Sequence, residues 1–589
     1  MHKLPVAVDF ETEAIEGDPI VHPPRPVGVA IYHPDLYGGA PQYKTINEDV
    51  IEELKNLWGC GRHLVFHNAP FDLRVAEEWL GIPIPDWSII HDTMYLCYLA
   101  DPYAKTFGLK PSAHRYLDIP PVEQDNLKEW IVQNVRGATE KNFGAYISSA
   151  PYELVAPYAK QDAVDTFKLF EHLYPTCQVE PYDRERRLMP ILLRGTQRGV
   201  RVATSALQAA YERYSPLLEQ CDNLLRATLQ APGLNPSSGQ QLAQALDDAG
   251  MVDNWTYTPT GAKSTDKKSL VVNDPNLKNL LNYRSTLKTL LTTFMNGWLE
   301  KVENDRLHPS WNSTRGDRDG GTRTGRLSSS NPNFQNIPNP AELVTPPGLL
   351  ELPHMRDFIL PEPGHLWLKR DFSAQEIRIM AHFEDGALAN AFRADPNLDP
   401  HELVRAEILR LTGADYPRRY VKETGFGILY GMGAPTLGSR LGVNSMISRD
   451  LIAAYKVAIP GVEQLQRGTK RRGRTGEPIT TWGGRKILAE PPRVIKGEYR
   501  SFEYKLLNYL IQGSSADQTK QCLIDWDSGR SDAIFMATVH DEINISAPED
   551  DWEFHMEWLR TSMEDTLGFD VPMRSEGFIG PTWGEVTDE

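Results

Sequence analysis

Two apolar, strand-like runs that each deliver one acid do most to constrain how this chain can fold. The first, GHLWLKRDF, brings Asp371 to its end; the second, FMATVHDEINISAP, carries Asp541 inside Val-His-Asp-Glu. The acids stand 170 positions apart (541 − 371). Either one alone reads as a turn residue or a helix N-cap. As a pair in matching settings, they read as ligands collected from distant parts of one chain. Two Mg²⁺ ions require such a pair for in-line phosphoryl transfer. Between them lie Arg418, Lys422, Phe426 and Tyr430 at an unbroken spacing of four. Steps of four advance about 400°, so the four share one helical face. Two cations followed by two aromatics suit a ligand with a triphosphate at one end and a base at the other. Phe426 and Tyr430 alone would fit plain core. The Arg/Lys pair on the same stripe favours a ligand, because buried cations need an anionic partner.

This constellation reads as a nucleotide polymerase, and longer segments carry a resemblance. DFSAQEIR (371–378), RRYVKETGFGILYG (418–431) and VHDE (539–542) resemble motifs A, B and C of the family A DNA polymerases, the bacterial polymerase-I type. TRTGRLSSSNPNFQNIP (322–338) resembles that family's template–primer motif, and LNYLIQGSSADQTK (507–520) its later Gln-Gly element. The five occur in the family's order, and the resemblance covers nearly the whole chain. It implies that Asp371 and Asp541 bridge two Mg²⁺ ions, with Mn²⁺ as a possible substitute, and that Glu542 is auxiliary. Arg418 and Lys422 would hold the incoming phosphates, Lys422 also protonating the pyrophosphate. Phe426 would stack near sugar and base, and Tyr430 would mark the template-base position. Glu376 would help exclude a 2′-OH; its bland alternative is a surface acid paired with Arg378. Arg326, Asn508 and Gln512 would read minor-groove acceptors, which every Watson–Crick pair offers at similar positions. His540 would contact the primer end. Two departures stand out: Gly425 replaces a common Asn and is expected to loosen the helix. Tyr504 stands where relatives often carry Arg, with Arg500 as a substitute for the lost contact.

A second acid set lies near the N-terminus. VDFET (8–12) puts Asp9 and Glu11 on one side of a strand, since side chains alternate with period two. HNAPFD (67–72) adds Asp72, and YAKQD (158–162) places Tyr158 and Asp162 on one helical face. The three motifs, DxE, NxxxD and YxxxD, resemble the DEDD 3′–5′ exonucleases of the Tyr type. The resemblance implies two further metals held by Asp9, Glu11, Asp72 and Asp162, with Tyr158 orienting the attacking water. An inactive scaffold is the alternative, though no acid is substituted.

At 589 residues the chain exceeds a single core, and its first 175 or so residues alternate strand-like and helical runs. The expected fold is α/β and α+β multidomain: an RNase H-like exonuclease domain (1–178), then a right-hand polymerase domain (179–589). Within the latter the thumb is expected over about 203–305, the palm over 306–390 and 521–589, and the fingers over 391–520. Residues 306–345 have a loop composition. A net charge of −17 argues against a polyanionic partner only on average, since DNA binding needs a local positive groove. The Arg/Lys-rich segment 466–500 is such a reversal and is expected to touch phosphates. No run of 18 or more apolar residues and no signal peptide are found, so no membrane association is expected. Five scattered cysteines suggest reduced thiols in a cytoplasm. Nothing precedes the exonuclease and no large thumb insertion is visible, which suggests a bacteriophage replicative polymerase working in its host's cytoplasm. Expected partners are primer–template DNA, dNTPs and replisome proteins such as a helicase or single-strand-binding protein, with the enzyme itself a monomer. Other readings are an exonuclease with a DNA-clamping second half, a single-subunit RNA polymerase and a non-catalytic nucleic-acid module. The intact helical stripe disfavours the first, Glu376 and the exonuclease motifs the second, and six carboxylates in two sets the third.

Overall fold

A computed structural model describes residues 4–589 apart from 121, 268, 315–321, 339–342, 496, 530–531 and 566–567. The N-terminal unit is a five-stranded sheet of β1 (Val6–Thr12), β2 (Pro26–Tyr32), β3 (Gln42–Thr45), β4 (Leu64–Phe66) and β5 (Ile90–Asp92). Its order is β3-β2-β1-β4-β5. The first three strands are antiparallel, while β4 and β5 run parallel to β1. Parallel neighbours need crossovers. Helix α1 (Ala69–Leu80) lies in the crossover from β4 to β5. Helices α2 (Leu109–Leu117) and α3 (Tyr152–Leu173) follow, and α3 packs on β1 and β2. The apolar side chains of β1 and β4 are fully buried in this core, as expected of strands covered on both faces.

Helix α4 (Val179–Arg198) leaves this unit and enters the next one. Tyr182, Met189 and Leu193 pack into the N-terminal core, whereas Leu188, Ile191 and Leu192 belong to the second. A helical region follows, with α5 (Thr204–Thr228), α6 (Gly239–Asp248) and α7 (Pro275–Thr289). The Ser238 hydroxyl accepts from the Gln241 amide at the start of α6, a capped start readable from LNPSSGQQL. Of the loop expected over 306–345, residues 315–321 and 339–342 lie outside the described residues. Ser310–Asn312 and Ser328–Ser330 pair antiparallel within it.

The C-terminal sheet collects its strands from far apart. β6 (His365–Phe372) is central, flanked by β8 (Glu542–Pro548) and β9 (Ser575–Gly580); β7 (Ile534–Val539) and β10 (Thr587–Asp588) complete the order β7-β8-β6-β9-β10. All pairings are antiparallel. Between β6 and β7 run α8 (Gln375–Glu384), α9 (Pro400–Thr412), α10 (Arg418–Leu429), α11 (Ser445–Ala458), α12 (Pro460–Thr475) and α13 (Leu506–Asp527). Helix α14 (Trp552–Glu564) packs on β6. Among the described residues, no helix is long and apolar enough to cross a membrane.

A buried ion pair ties α13 to the shared helix α4, and a second holds α13 within its own unit. Lys520 of α13 donates to Glu185 of α4 at 2.5 Å, both 2% exposed. Arg485 Nε meets Asp517 at 2.6 Å, and its Nη2 donates to the carbonyls of both Thr324 and Gly513. The expectation that the whole basic segment 466–500 faces phosphates is therefore corrected at Arg485, which is buried and locks α13 in place. A Cβ at Gly325, whose φ is +85°, would fall among that guanidinium's atoms, so the chain needs glycine there.

Candidate active sites

The sheet register explains how the two distant acids meet. Asp371 is the penultimate residue of β6, directly opposite Glu542 on β8 and Glu576 on β9. Asp541 sits in the turn between β7 and β8, and its carbonyl accepts from the Phe372 amide at 3.4 Å. His540, in the same turn, adopts a left-handed φ of 61°, which swings the chain over the end of β6. Burial, then the charges of Asp541 and Glu542, push the Asp371 carboxyl up from 3.8 to about 7. Burial raises Asp541 as well. Glu542 is tied down differently: Oε1 accepts from Asn544 Nδ2 (2.8 Å) and Trp583 Nε1 (3.0 Å), with Lys369 and Arg356 near Oε2.

In front of Asp541 opens a cleft of about 730 Å³, lined by residues that include Glu376, Lys422, Phe426, Tyr430 and His540. The stripe of α10 lines it as a unit, with Tyr430 capping the helix. Its two cations are not buried, contrary to the expectation from the stripe. Lys422 is exposed, and Arg418, 49% exposed, is held by Asp399 at 2.6 Å. They face an open cleft. Asp399 also caps α9 through the amides of His401 and Glu402. Gly425 does not loosen α10, which runs unbroken; a Cβ there would lie 2.9 Å from the Tyr455 hydroxyl of α11.

Glu376 pairs with Arg326, and Arg378 instead donates to the carbonyls of Ser373, Pro396 and Pro572, which rules out the alternative pairing. Gln512 of α13 donates to the Tyr430 hydroxyl at 3.2 Å. Asn508, one turn earlier, has a buried Nδ2 without a hydrogen-bond partner among the described residues. Arg500 lies on a surface hairpin (Arg493–Ile495 with Glu498–Arg500) and pairs with Glu498, and Tyr504 is 40% exposed beside Gly431.

The N-terminal acids form a second, more enclosed centre. Ligand oxygens of Asp9, Glu11 and Asp162 all lie within 4.8 Å of one another. Asp72 stands outside that trio, and its Oδ1 accepts from the Phe10 amide at 3.0 Å. Burial and mutual repulsion raise Asp9 and Glu11 well above the usual carboxylate range. Burial, with the charge of Asp92 adding to it, carries Asp72 to about 8 against the hydrogen bond from the Phe10 amide, and burial lifts Asp162 to about 6 against the pull of Lys110. Tyr158 lies one turn before Asp162 on α3, its hydroxyl pushed up by burial and by that carboxylate.

Two residues here were not anticipated. Asp92 accepts from the amides of Asn68, Ala69 and Met94, fixing the left-handed turn that launches α1 with Asp72 on it. Lys110 reaches into the trio, where its ammonium contacts Asp162. A conserved-looking spacing marks neither; only the folded positions reveal them.

The donors in both centres are hard oxygens, which suits Mg²⁺ or Mn²⁺. Buried Glu11 Oε1 and Asp371 Oδ1 have no hydrogen-bond partner among the described residues, as expected of atoms kept for a cation.

Comparison with known proteins agrees with this layout. The model of the DNA polymerase family A matches residues 205–585, and that of the 3′-5′ exonuclease matches residues 1–178. DNA polymerase I of Pseudomonas aeruginosa is 29% identical over 99% of this chain and 63% of its own length. DNA polymerase I of Chloroflexus aurantiacus is 29% identical over 88% and 54%. DNA polymerase DpoZ of Vibrio phage phiVC8 is 28% identical over 89% and 87%. The chain thus spans between half and two thirds of the bacterial relatives' length. The fold resembles the POL domain of Pol1 from M. smegmatis, solved with DNA primer-template and dNTP, at a TM-score of 0.76 and 21% identity over 98% of this chain and 95% of that one.

Proposed function

From the premise that this chain belongs to DNA polymerase family A, with a 3′-5′ exonuclease unit at its N-terminal side, we propose that it extends a primer 3′-OH with deoxynucleotides and excises mispaired ends. The observation that carries the reading is the meeting of Asp371 with Asp541, the latter lining a cleft together with Lys422, Phe426 and Tyr430. In this proposal β6 to β10 with the 306–390 segment form the palm, α5 to α7 the thumb, and residues 391–520 the fingers.

Two divalent ions, Mg²⁺ or Mn²⁺, would acidify the primer hydroxyl and stabilise the leaving pyrophosphate when bound. Asp371 and Asp541 would hold them. Arg418, released from Asp399, and Lys422 clamp the triphosphate, Lys422 donating a proton to the departing phosphate. Phe426 stacks on sugar and base. Glu376, pinned by Arg326, closes the space that a ribose 2′-OH would need. Arg326, Asn508 and Gln512 offer donors to the minor groove, which tests pair shape regardless of sequence. His540 steadies the primer end. In the second centre Asp9, Glu11, Asp72 and Asp162 would hold the ions, and Tyr158 orients the attacking water. Replisome partners and work in a bacterial host's cytoplasm fit the likeness to a phage polymerase.

A gel time course on a 5′-labelled recessed primer with Mg²⁺, with and without dNTPs, tests this. Extension with dNTPs and 3′ shortening without them are expected. Asp541→Ala should abolish extension and spare shortening, and Asp9→Ala the reverse. Loss of both activities in either variant overturns the assignment of two separate centres.

A further inference from the structure

Among the described residues, Lys110 is the cation at the N-terminal acid cluster that the proposed chemistry leaves unused. It is the second residue of α2, and its side chain is only 10% exposed. The ammonium contacts Asp162 and lies 3.4 Å from Asp165 Oδ2, one turn further along α3. It also sits 5.2 Å from the centre of the Tyr158 ring, within cation–π range. Asp165 is 1% exposed and fixed from its other side by Gln161 at 2.6 Å. One ammonium therefore touches all the functional groups that α3 brings to the centre, and a buried acid outside the cluster anchors it.

We propose that Lys110 is a positioning residue of the exonuclease centre: it fixes Asp162 and Tyr158, and its charge competes with divalent ions for the Asp162 carboxylate. The proposal rests on the exonuclease reading above. A buried lysine is ordinarily retained only with ionic partners, and here it has two on one helix face. Its position has two opposing consequences. Holding Asp162 and Tyr158 in place speeds excision, while a resident positive charge repels an incoming cation in a medium of low dielectric. A purely structural lysine would have the first effect without the second.

The test uses the full chain carrying Asp541→Asn, which removes the other metal centre from the titration. Mn²⁺ binding is followed by electron paramagnetic resonance, and single-turnover excision of a 5′-labelled single strand is measured at saturating Mn²⁺. Lys110→Met is expected to bind Mn²⁺ several-fold more tightly and to excise about 10- to 100-fold more slowly, the range of lost positioning. Lys110→Arg should keep the weaker Mn²⁺ affinity and recover part of the rate. Asp165→Asn, which removes the anchor but no expected metal ligand, should slow excision without weakening Mn²⁺ binding. Primer extension by the same substitutions in the Asp541 chain checks that each variant folds. Unchanged or weaker Mn²⁺ binding in Lys110→Met, or an unchanged rate, overturns the proposal. Absence of excision with Lys110 intact would instead overturn the exonuclease reading on which it rests.

Discussion

At the scale of single residues, the folded chain spends stability on its acids. The Asp371 carboxyl titrates near 7 in the folded state and near 4 when unfolded, so between those values the folded chain binds the extra proton. Stability from this group is present below about pH 4 and is lost as pH rises through 7. At pH 8 without divalent ions the repulsion between Asp371 and Asp541 is at full strength. Asp371→Asn is therefore expected to abolish extension yet raise stability by about 1–3 kcal/mol in EDTA at pH 8, with the gain shrinking towards pH 5. Urea unfolding at the two pH values checks the sign; an Asn variant less stable than its parent at pH 8 would refute it. Asp371 and Asp541 stood out in the sequence because each ends or interrupts an apolar run. Their coupling did not, since it depends on the β6–β8 register and the turn at His540.

At the scale of elements, α10 shows what spacing can and cannot reveal. A step of four fixes which residues share a face, and Arg418, Lys422, Phe426 and Tyr430 do line one cleft. Spacing is silent on what a neighbouring element places opposite. Asp399, 19 positions upstream of Arg418, both caps α9 and holds that guanidinium. Tyr455, 30 positions after Gly425, is what makes glycine the fitting residue in α10. The Asp399–Arg418 pair is about half exposed, so its worth is at most about 1 kcal/mol. Asp399→Asn retains a good N-cap while releasing the cation. It should lower the KM for dNTP by about two- to fivefold at unchanged thermal stability, because 1 kcal/mol is about a fivefold change in an equilibrium. Steady-state kinetics at low ionic strength read this, and an unchanged KM would show that Arg418 does not reach the nucleotide.

At the scale of the whole molecule, the order of motifs foretold the two units, and composition did not foretell the lock between α4 and α13. Lys520 sits in QGSSADQTK, where a lysine looks like a surface residue, and Glu185 lies in the charged run DRERR. Only the packing of α4 along α13 buries them together. Removing one member leaves the other charged and enclosed, which costs about 3–5 kcal/mol. Lys520→Met should therefore destabilise the chain by that amount, and adding Glu185→Gln should restore most of it. Thermal unfolding of the single and double variants tests the coupling, which additive losses would refute. The same packing makes α4 a shared wall, with alternate side chains committed to different cores. During synthesis, then, the N-terminal sheet cannot seal when its last strand leaves the ribosome. It stays open on one side until Leu193 has cleared the exit tunnel, and by then Leu188 and Leu192 have emerged bare, already presenting the seed on which the rest of the nascent chain condenses.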